Sequence, residues 1–395
     1  MKHAVLPILL ATTACAATHA STPQGDTTLH QRTLTLDTHL DTPVHFARPG
    51  WNFGERHSLA TDIAQVDLGR MDSGDLDGGF FAIYTEQGPV TPEGFAAAKA
   101  FAFKRLGEIH AMLAKFPDRI ALATRADDAA RIDRAGKRFA YISIENSYPL
   151  GEDLSLLGEF YRQGVRLASP VHFRVNQFAD SATDKPKWNG LSPLGRQWVA
   201  EMNRLGMVLD ASHASDAVLD QMIELSKTPV LLSHSGTKAI YDHPRNLDDA
   251  RVRKLAASGG AICVNSAYLA KTRPSATRSA LSDQTEHMAE MSPAEQADLT
   301  RRLRAAEQAE PANDADFETY MRAVLHLIQV AGVDHVCFGA DWDGGGGVRG
   351  FEDIDALPKV TERLRAAGYS PADIEKMWSG NVLRLLRIAE QHKGR

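Results

Sequence analysis

The sequence predicts an α/β protein, a (β/α)8 barrel of the TIM type with a helical insertion between the seventh and eighth strands. Short apolar segments alternate with helical patterns through most of the 395 residues. Alternation of this length implies a parallel sheet, and eight parallel strands form a closed barrel. The composition, 43% hydrophobic and 24% charged, excludes a disordered chain and a protein with many membrane spans.

The eight predicted strands are short apolar or β-branched segments that end in glycine, polar or charged residues. They span residues 34–41, 79–85, 139–145, 165–172, 207–213, 229–234, 261–265 and 335–341.

Helix start signals follow several of these strands. Thr91, Ser192 and Ser370 each precede a proline, which places a capping hydroxyl before a proline at the first helical position. Residues 271–316 form a charged, alanine-rich stretch longer than one barrel helix, and Ser292 with Glu295 forms a capping box within it. Two interpretations of this insertion stay open: a solvated helical excursion, or a lid or dimer contact over the site.

The chain is predicted to have an export signal at residues 1–20 and one domain at residues 21–395. Lys2 and His3 precede an apolar stretch that is too short to span a bilayer and ends in alanines. We therefore expect an exported, periplasmic protein. Cys15 partly matches a lipoprotein acceptor site but lacks the usual aliphatic residue three positions earlier, so we expect it to be part of the discarded signal.

Charge and cysteine content exclude further classes of protein. A formal charge of −6 and a pI near 6.2 give no basic surface for a nucleic acid. Three cysteines are too few for a disulfide framework. Cys263 and Cys337 lie in apolar segments and are interpreted as small buried hydrophobic residues.

Six of the eight predicted strands deliver titratable side chains at their carboxyl ends, where barrel enzymes carry their active sites. These side chains are His39 and Asp41, Glu145, His172, His213, His234 and Asp341. One histidine at a strand end is usually structural, but six such ends in register indicate a functional cluster.

The spacing within the cluster favours two metal ions. His39 and Asp41, two residues apart on one strand, can bind one ion together, and His213 and His234 can reach a second. Glu145 lies between these pairs and can bridge both ions. Imidazole and carboxylate ligands without thiolate suit zinc. Two bridged ions would lower the pKa of a shared water, and Asp341 remains as the general acid/base.

The motifs that carry these residues resemble the membrane (renal-type) dipeptidase family, a metal-dependent branch of the amidohydrolase superfamily. The matching segments are Asp37-Thr38-His39-Leu40-Asp41, Ile144-Glu145, Asp210-Ala211-Ser212-His213, Ser233-His234-Ser235, residues 242–246, residues 339–344 and residues 380–384. The resemblance implies a two-zinc (β/α)8 enzyme that cleaves dipeptides, commonly with an L- or D-residue at the C-terminus. Some family members also open β-lactam rings.

The resemblance also implies a role for each site residue. His39 and Asp41 would bind one zinc, His213 and His234 the other, and Glu145 with a hydroxide would bridge them. His172 would stabilise the oxyanion, Arg245 would bind the substrate carboxylate, and Asp341 would move the proton to the leaving amine. The family favours a homodimer.

The sequence departs from the family pattern at two places, and two alternative functions stay open. Asn146 stands where relatives usually have glycine, which predicts an altered site mouth, and the insertion is longer than in many relatives. The chain could instead hydrolyse another amide or a β-lactam, a question that the placement of Arg245 bears on. A non-catalytic exported metal- or peptide-binding protein is disfavoured because all five ligands and Asp341 are present.

Overall fold

The structure is a computed structural model that describes residues 28–394, so the predicted export signal lies outside the described residues. Within this range the chain forms ten strands and thirteen α-helices. The strands are β1 (Leu36–Leu40), β2 (Gly78–Tyr84), β3 (Ile120–Leu122), β4 (Arg138–Glu145), β5 (Val165–Ala168), β6 (Val208–Leu209), β7 (Leu231–Thr237), β8 (Asn246–Leu247), β9 (Ala261–Val264) and β10 (Val336–Phe338). The helices are α1 (Leu68–Ser73), α2 (Pro92–Lys115), α3 (Asp128–Asp133), α4 (Ser155–Arg162), α5 (Pro193–Leu205), α6 (Asp216–Leu225), α7 (Asp249–Ala257), α8 (Ala276–Thr285), α9 (Pro293–Ala309), α10 (Phe317–Ala331), α11 (Leu357–Ala366), α12 (Pro371–Glu375) and α13 (Asn381–His392).

Eight of the strands close into the predicted barrel. One parallel sheet runs β1-β2-β4-β5-β6, and a second contains β10-β9-β7. Parallel bridges join the two sheets at both junctions, Asp210 with Leu231 between β6 and β7, and Leu40 with Trp342 beyond β10. The (β/α)8 architecture expected from strand–helix alternation is therefore confirmed.

The barrel interior is filled by a buried apolar layer. It takes at least one residue from each of the eight strands: Leu36, Phe80, Tyr141, Leu167, Val208, Leu231, Cys263 and Cys337. Helix α13 packs on the same layer through Val382, Leu385 and Leu386. This packed interior fixes the strands rigidly beneath the loops that carry the polar cluster.

The eight barrel strands match the predicted segments, but several end earlier than expected. Strands β5, β6 and β10 end at Ala168, Leu209 and Phe338, so His172, His213 and Asp341 lie in the loops that follow. The backbone explains part of this, because His213 and Asp341 have φ values of 67° and 69°, which a strand cannot accommodate. The short strands β3 and β8 were not expected.

The predicted helix starts are confirmed in detail. The hydroxyls of Thr91, Ser192 and Ser370 accept hydrogen bonds from backbone N–H groups three residues later, at the starts of α2, α5 and α12. Ser292 and Glu295 form the expected capping box of α9.

The insertion packs against the barrel rim through α9. It has a small apolar centre of its own, formed by Leu281, Met288 and Leu299. Gln296 accepts hydrogen bonds from Arg48, at 3.0 Å from Nε and 2.9 Å from Nη2. Arg304 donates to the Leu59 carbonyl at 3.1 Å. The insertion is thus joined to the loop after β1 by buried and half-buried contacts.

The interpretation of the two barrel cysteines as unpaired residues was wrong. Cys263 and Cys337 are both fully buried, as expected, but they form a disulfide. Strands β9 and β10 are neighbours, and their parallel register sets these two residues directly opposite each other. Their sequence separation of 74, which spans the insertion, hid this pairing in the sequence.

In the described part of the chain, no helix has the length and apolar character that a membrane span requires.

Candidate active site

The predicted metal ligands meet at the carboxyl end of the barrel. His39 lies in β1, Glu145 is the last residue of β4, and His234 lies in β7. Asp41 directly follows β1, and His213 lies four residues beyond β6. All five are buried, with at most 5% of their surface exposed.

Glu145 lies at the centre of this group, and its two carboxylate oxygens face different partners. Oε2 is 3.4 Å from His39 Nε2, which is itself 3.1 Å from Asp41 Oδ2. Oε1 is 3.0 Å from His213 Nε2 and 3.4 Å from His234 Nε2. The two predicted ligand pairs therefore lie on opposite oxygens of one carboxylate.

The chemistry of these donors fits divalent metal ions. Asp41, Glu145 and Asp341 bring three carboxylates into one buried group, and within residues 28–394 no Lys or Arg nitrogen lies within 4.0 Å of them. Asp41 Oδ1 is buried without a hydrogen-bond partner. The Nε2 atoms of His213 and His234 lie 2.8 Å apart, as expected for two imidazoles directed at a common centre. Buried carboxylates need cationic partners, and this mixture of imidazole and carboxylate suits zinc or a similar metal.

The ligand environments shift the histidine pKa values in opposite directions. Burial lowers the pKa of His213 and His234 well below the usual value, which leaves both rings neutral and able to donate a lone pair. Burial also lowers the pKa of His39, but the charges of Asp41 and Glu145 outweigh it and raise that pKa. Burial opposes ionisation of Glu145, yet the histidines around it hold its pKa well below the usual range.

Asp341 and His172 lie on opposite sides of Glu145. Asp341 Oδ1 is 3.9 Å from His39 Nε2, and His172 Nε2 is 3.5 Å from Glu145 Oε1. Burial raises the pKa of Asp341 to about 7, where a carboxyl group can both accept and donate a proton at neutral pH. Burial lowers the pKa of His172 to about 4, so its ring stays neutral at pH 7.

A close backbone approach fixes the loop that carries Asp341. A Cβ atom on Gly344 would lie 2.0 Å from Asp41 Oδ2 and 2.5 Å from Asp341 Oδ1. Only glycine fits there, so the glycine-rich turn after Asp341 packs directly on the two carboxylates.

Arg245 is buried beside the second ligand pair. Its Nη2 donates to the His234 carbonyl at 3.0 Å, and its guanidinium carbon lies 5.5 Å from the centre of the Tyr268 ring. Its Nε is buried without a partner. Among the described residues, no carboxylate lies within 4.0 Å of this guanidinium, so it is not held in a structural ion pair.

Comparison with known proteins gives a family for this arrangement. The family model described as membrane dipeptidase (peptidase family M19) matches residues 24–395. The chain belongs to the membrane dipeptidase family. It is therefore a metallo-hydrolase of the dipeptidase class, which acts on peptide bonds.

Individual relatives agree with this family. The chain is 31% identical over 358 residues to dipeptidase tcpJ of Claviceps purpurea, across 88% of this chain and 75% of that protein. Among solved structures, the probable dipeptidase PvdM from Pseudomonas aeruginosa has a TM-score of 0.78 and 29% identity, with 92% of this chain and 97% of that chain covered. The dipeptidase AC, a metallo peptidase, has a TM-score of 0.72 and 26% identity, with 91% and 99% covered.

The hydrogen bonds that connect His234 through Ser233 to Asp210 were not predicted from the sequence of this dipeptidase. Ser233 Oγ donates to Asp210 Oδ2 at 2.5 Å and lies 2.9 Å from His234 Nδ1. Because that serine proton is given to Asp210, His234 Nδ1–H donates to Ser233, which leaves Nε2 free as a ligand. The Asp-Ala-Ser-His and Ser-His motifs contained both residues, but the contact between them depends on the neighbouring strands β6 and β7.

A second buried network supports the loop that carries Asp341. Asp343 accepts hydrogen bonds from Thr42 Oγ1 at 2.7 Å, Gln65 N at 2.7 Å and His45 Nε2 at 3.2 Å. The His45 ring is buried between Asp343 and Arg48. Arg48 can only donate, and it lies 3.1 Å from His45 Nδ1, so the His45 proton lies on Nε2 and points to Asp343.

Asn146 lies buried in the turn that follows β4. It has φ 72° and is fully buried, and asparagine tolerates this left-handed conformation better than most residues. Its side chain donates to the Thr85 carbonyl and accepts from Tyr148 N and Asn176 Nδ2. The side chain therefore stabilises the turn after β4 from within.

Proposed function

We propose that this enzyme hydrolyses dipeptides with two zinc ions, of which His39 and Asp41 would hold one and His213 and His234 the other, with Glu145 as a ligand that the two sites would share. The observation that carries the proposal is the placement of the two ligand pairs on opposite oxygens of Glu145. When bound, two such ions activate a shared water and polarise the scissile carbonyl.

The protein's own residues would bind and orient the substrate around this centre. A neutral His172 can donate its ring N–H to the carbonyl oxygen as negative charge develops there. Arg245, which has no ionic partner of its own among the described residues, can bind the free C-terminal carboxylate. A buried, positively charged fork favours substrates that end in a carboxylate.

Asp341 would move the proton. It can accept a proton from the attacking water and donate it to the nitrogen of the leaving amino acid. Its pKa of about 7 supports both steps at neutral pH. The loop contacts of Gly344 and Asp343 would keep its carboxylate directed at the reacting atoms.

We also propose that the protein is exported. The buried Cys263–Cys337 disulfide supports this location, because structural disulfides form and persist in oxidising compartments. It agrees with the basic and apolar sequence pattern at residues 1–20.

Dipeptide hydrolysis after metal removal tests the mechanism. We expect activity to disappear after chelation and return with zinc, and we expect Asp341→Asn to lower kcat by about 10²–10⁴ with unchanged zinc content. Asp353→Asn, in an acid outside the site, serves as the matched control. Activity that withstands chelation, or an Asp341→Asn enzyme with normal kcat, would show that the proposed mechanism is wrong.

A further inference from the structure

A cavity of about 1100 Å³ opens beside the cluster of candidate metal ligands. This is at or above the upper end of the roughly 300–1,000 Å³ that encloses a typical small ligand, and a dipeptide of two small residues would fill little of it. Its inner end is formed by Asp341 and the glycine-rich turn Gly344–Gly347, and Tyr268 lies beside them.

The outer wall of this cavity comes from the insertion. Arg304 and Gln308 from α9, followed by Ala312 and Ala315, line the cavity together with the glycine-rich turn. Small side chains at 312 and 315, with backbone alone at 344–347, leave the cavity wide. The insertion thus forms a wall of a chamber that is connected to the active site.

The position of Asp341 determines which part of a substrate this chamber faces. Of the eight candidate site residues, Asp341 is the one that lines the described cavity. In the proposed mechanism Asp341 protonates the leaving nitrogen, which belongs to the C-terminal residue of the dipeptide. The side chain of that residue begins two bonds from this nitrogen, so it starts at the inner end of the chamber.

The carboxylate site supports the same orientation. Tyr268 lines the chamber and packs beside Arg245, the proposed carboxylate-binding residue. A C-terminal residue held between Arg245 and Asp341 would therefore have its carboxylate next to the chamber as well. Tyr268 is thus the link between the chamber and the proposed carboxylate site.

We infer that this chamber is the subsite for the side chain of the substrate's C-terminal residue, and that it accepts side chains as large as those of phenylalanine and tryptophan. This inference rests on the proposed function, since it uses the roles of Asp341 and Arg245. The insertion then acts as a specificity element.

A substitution that fills the chamber with a large side chain tests the inference. Rates are measured for Ala-Gly and for Ala-Phe and Ala-Trp, with the C-terminal phenylalanine or tryptophan supplied in both L and D forms. The wild-type enzyme is expected to hydrolyse the bulky dipeptides of one hand with kcat/KM at least equal to that for Ala-Gly. Ala312→Trp is expected to lower kcat/KM for Ala-Phe and Ala-Trp at least tenfold relative to Ala-Gly.

Ala305→Trp is the matched control, because Ala305 is an exposed residue of α9 that does not line the chamber. This variant is expected to leave unchanged the ratio of kcat/KM for Ala-Phe and Ala-Trp to kcat/KM for Ala-Gly. Melting temperatures check that both variants fold. An Ala312→Trp enzyme with the wild-type ratio, or a wild-type enzyme that cleaves only Ala-Gly, would overturn the subsite while leaving the proposed function intact. Absence of hydrolysis of every dipeptide by the zinc-loaded enzyme would overturn both.

Discussion

The proposed role of Arg245 is to bind the substrate, and this role can be tested separately from the chemistry of the metal centre. Its guanidinium is buried beside His234 and has no carboxylate partner within the described chain. A buried cation without an anionic partner is unfavourable in the free enzyme, and a substrate carboxylate would relieve this.

We predict that Arg245→Met weakens the selection for a free C-terminal carboxylate. The wild-type enzyme should prefer a dipeptide over the corresponding dipeptide amide by about 10- to 100-fold in kcat/KM, since charge-assisted hydrogen bonds contribute about 1.5–3 kcal/mol. The variant should lose most of this preference, which steady-state kinetics on matched substrates would measure. An undiminished preference in the variant would mean that another group binds the carboxylate.

At the scale of single residues, the sequence was informative where local geometry sufficed. His39 and Asp41 lie two residues apart, so their closeness followed from the pleat of one strand. The roles of Asp210, Ser233 and His45 did not follow, because each depends on contacts across strands or loops that are distant in sequence. Buried polar networks of this kind are defined by packing and have no local sequence signature.

Among the secondary-structure elements, α9 of the insertion contacts a buried ion pair in the loop after β1. Arg48 donates to both oxygens of Asp62, at 3.0 and 2.9 Å, and also to Gln296 at the start of α9. Burial raises the pKa of Asp62, but the Arg48 guanidinium outweighs this effect and lowers the pKa below its usual value.

We predict that Asp62→Asn destabilises the protein in a pH-dependent way. A carboxyl group with a lowered pKa in the folded state stabilises the fold above its unfolded pKa, and this contribution is lost as the pH falls through the folded pKa. The variant should lose about 1–3 kcal/mol at pH 7, and the difference from the wild type should shrink below about pH 4. Denaturant unfolding at several pH values measures this, and a difference independent of pH would contradict the assigned ion pair.

The elements themselves were largely predictable, with their ends as the exception. Alternating apolar segments and capping residues located the eight barrel strands and the starts of α2, α5, α9 and α12. The early ends of β6 and β10 were not predictable, because the positive φ values of His213 and Asp341 have no signature in the sequence. The packing of α9 on the rim also stayed open, since Arg48 and Gln296 are separated by 248 residues.

For the whole molecule, the disulfide between β9 and β10 spans the part of the chain that includes the insertion. It closes a segment with a sequence separation of 74 residues inside the fully buried barrel layer. Cross-linking a long segment restricts the unfolded chain and so stabilises the folded one.

We predict that the double variant Cys263→Ser, Cys337→Ser lowers the free energy of unfolding by about 2–4 kcal/mol. The denatured wild-type protein, purified after export, should show no free thiol from these two residues until a reductant is added. Thiol titration and denaturant unfolding measure both effects. Two reactive thiols in the unreduced, denatured protein would contradict the disulfide and weaken the proposal of export.

The central claim for the whole molecule is that Glu145 joins two metal sites, and zinc stoichiometry tests it most directly. Elemental analysis of the purified protein, saturated with zinc and freed of excess, should give two zinc ions per chain for the wild type. Glu145→Gln should retain about one or fewer, because an amide oxygen cannot bridge as a carboxylate does. The exposed Glu152→Gln variant, whose change lies outside the cluster, should keep two. One zinc or none in the wild type, or two in Glu145→Gln, would contradict the bridged centre.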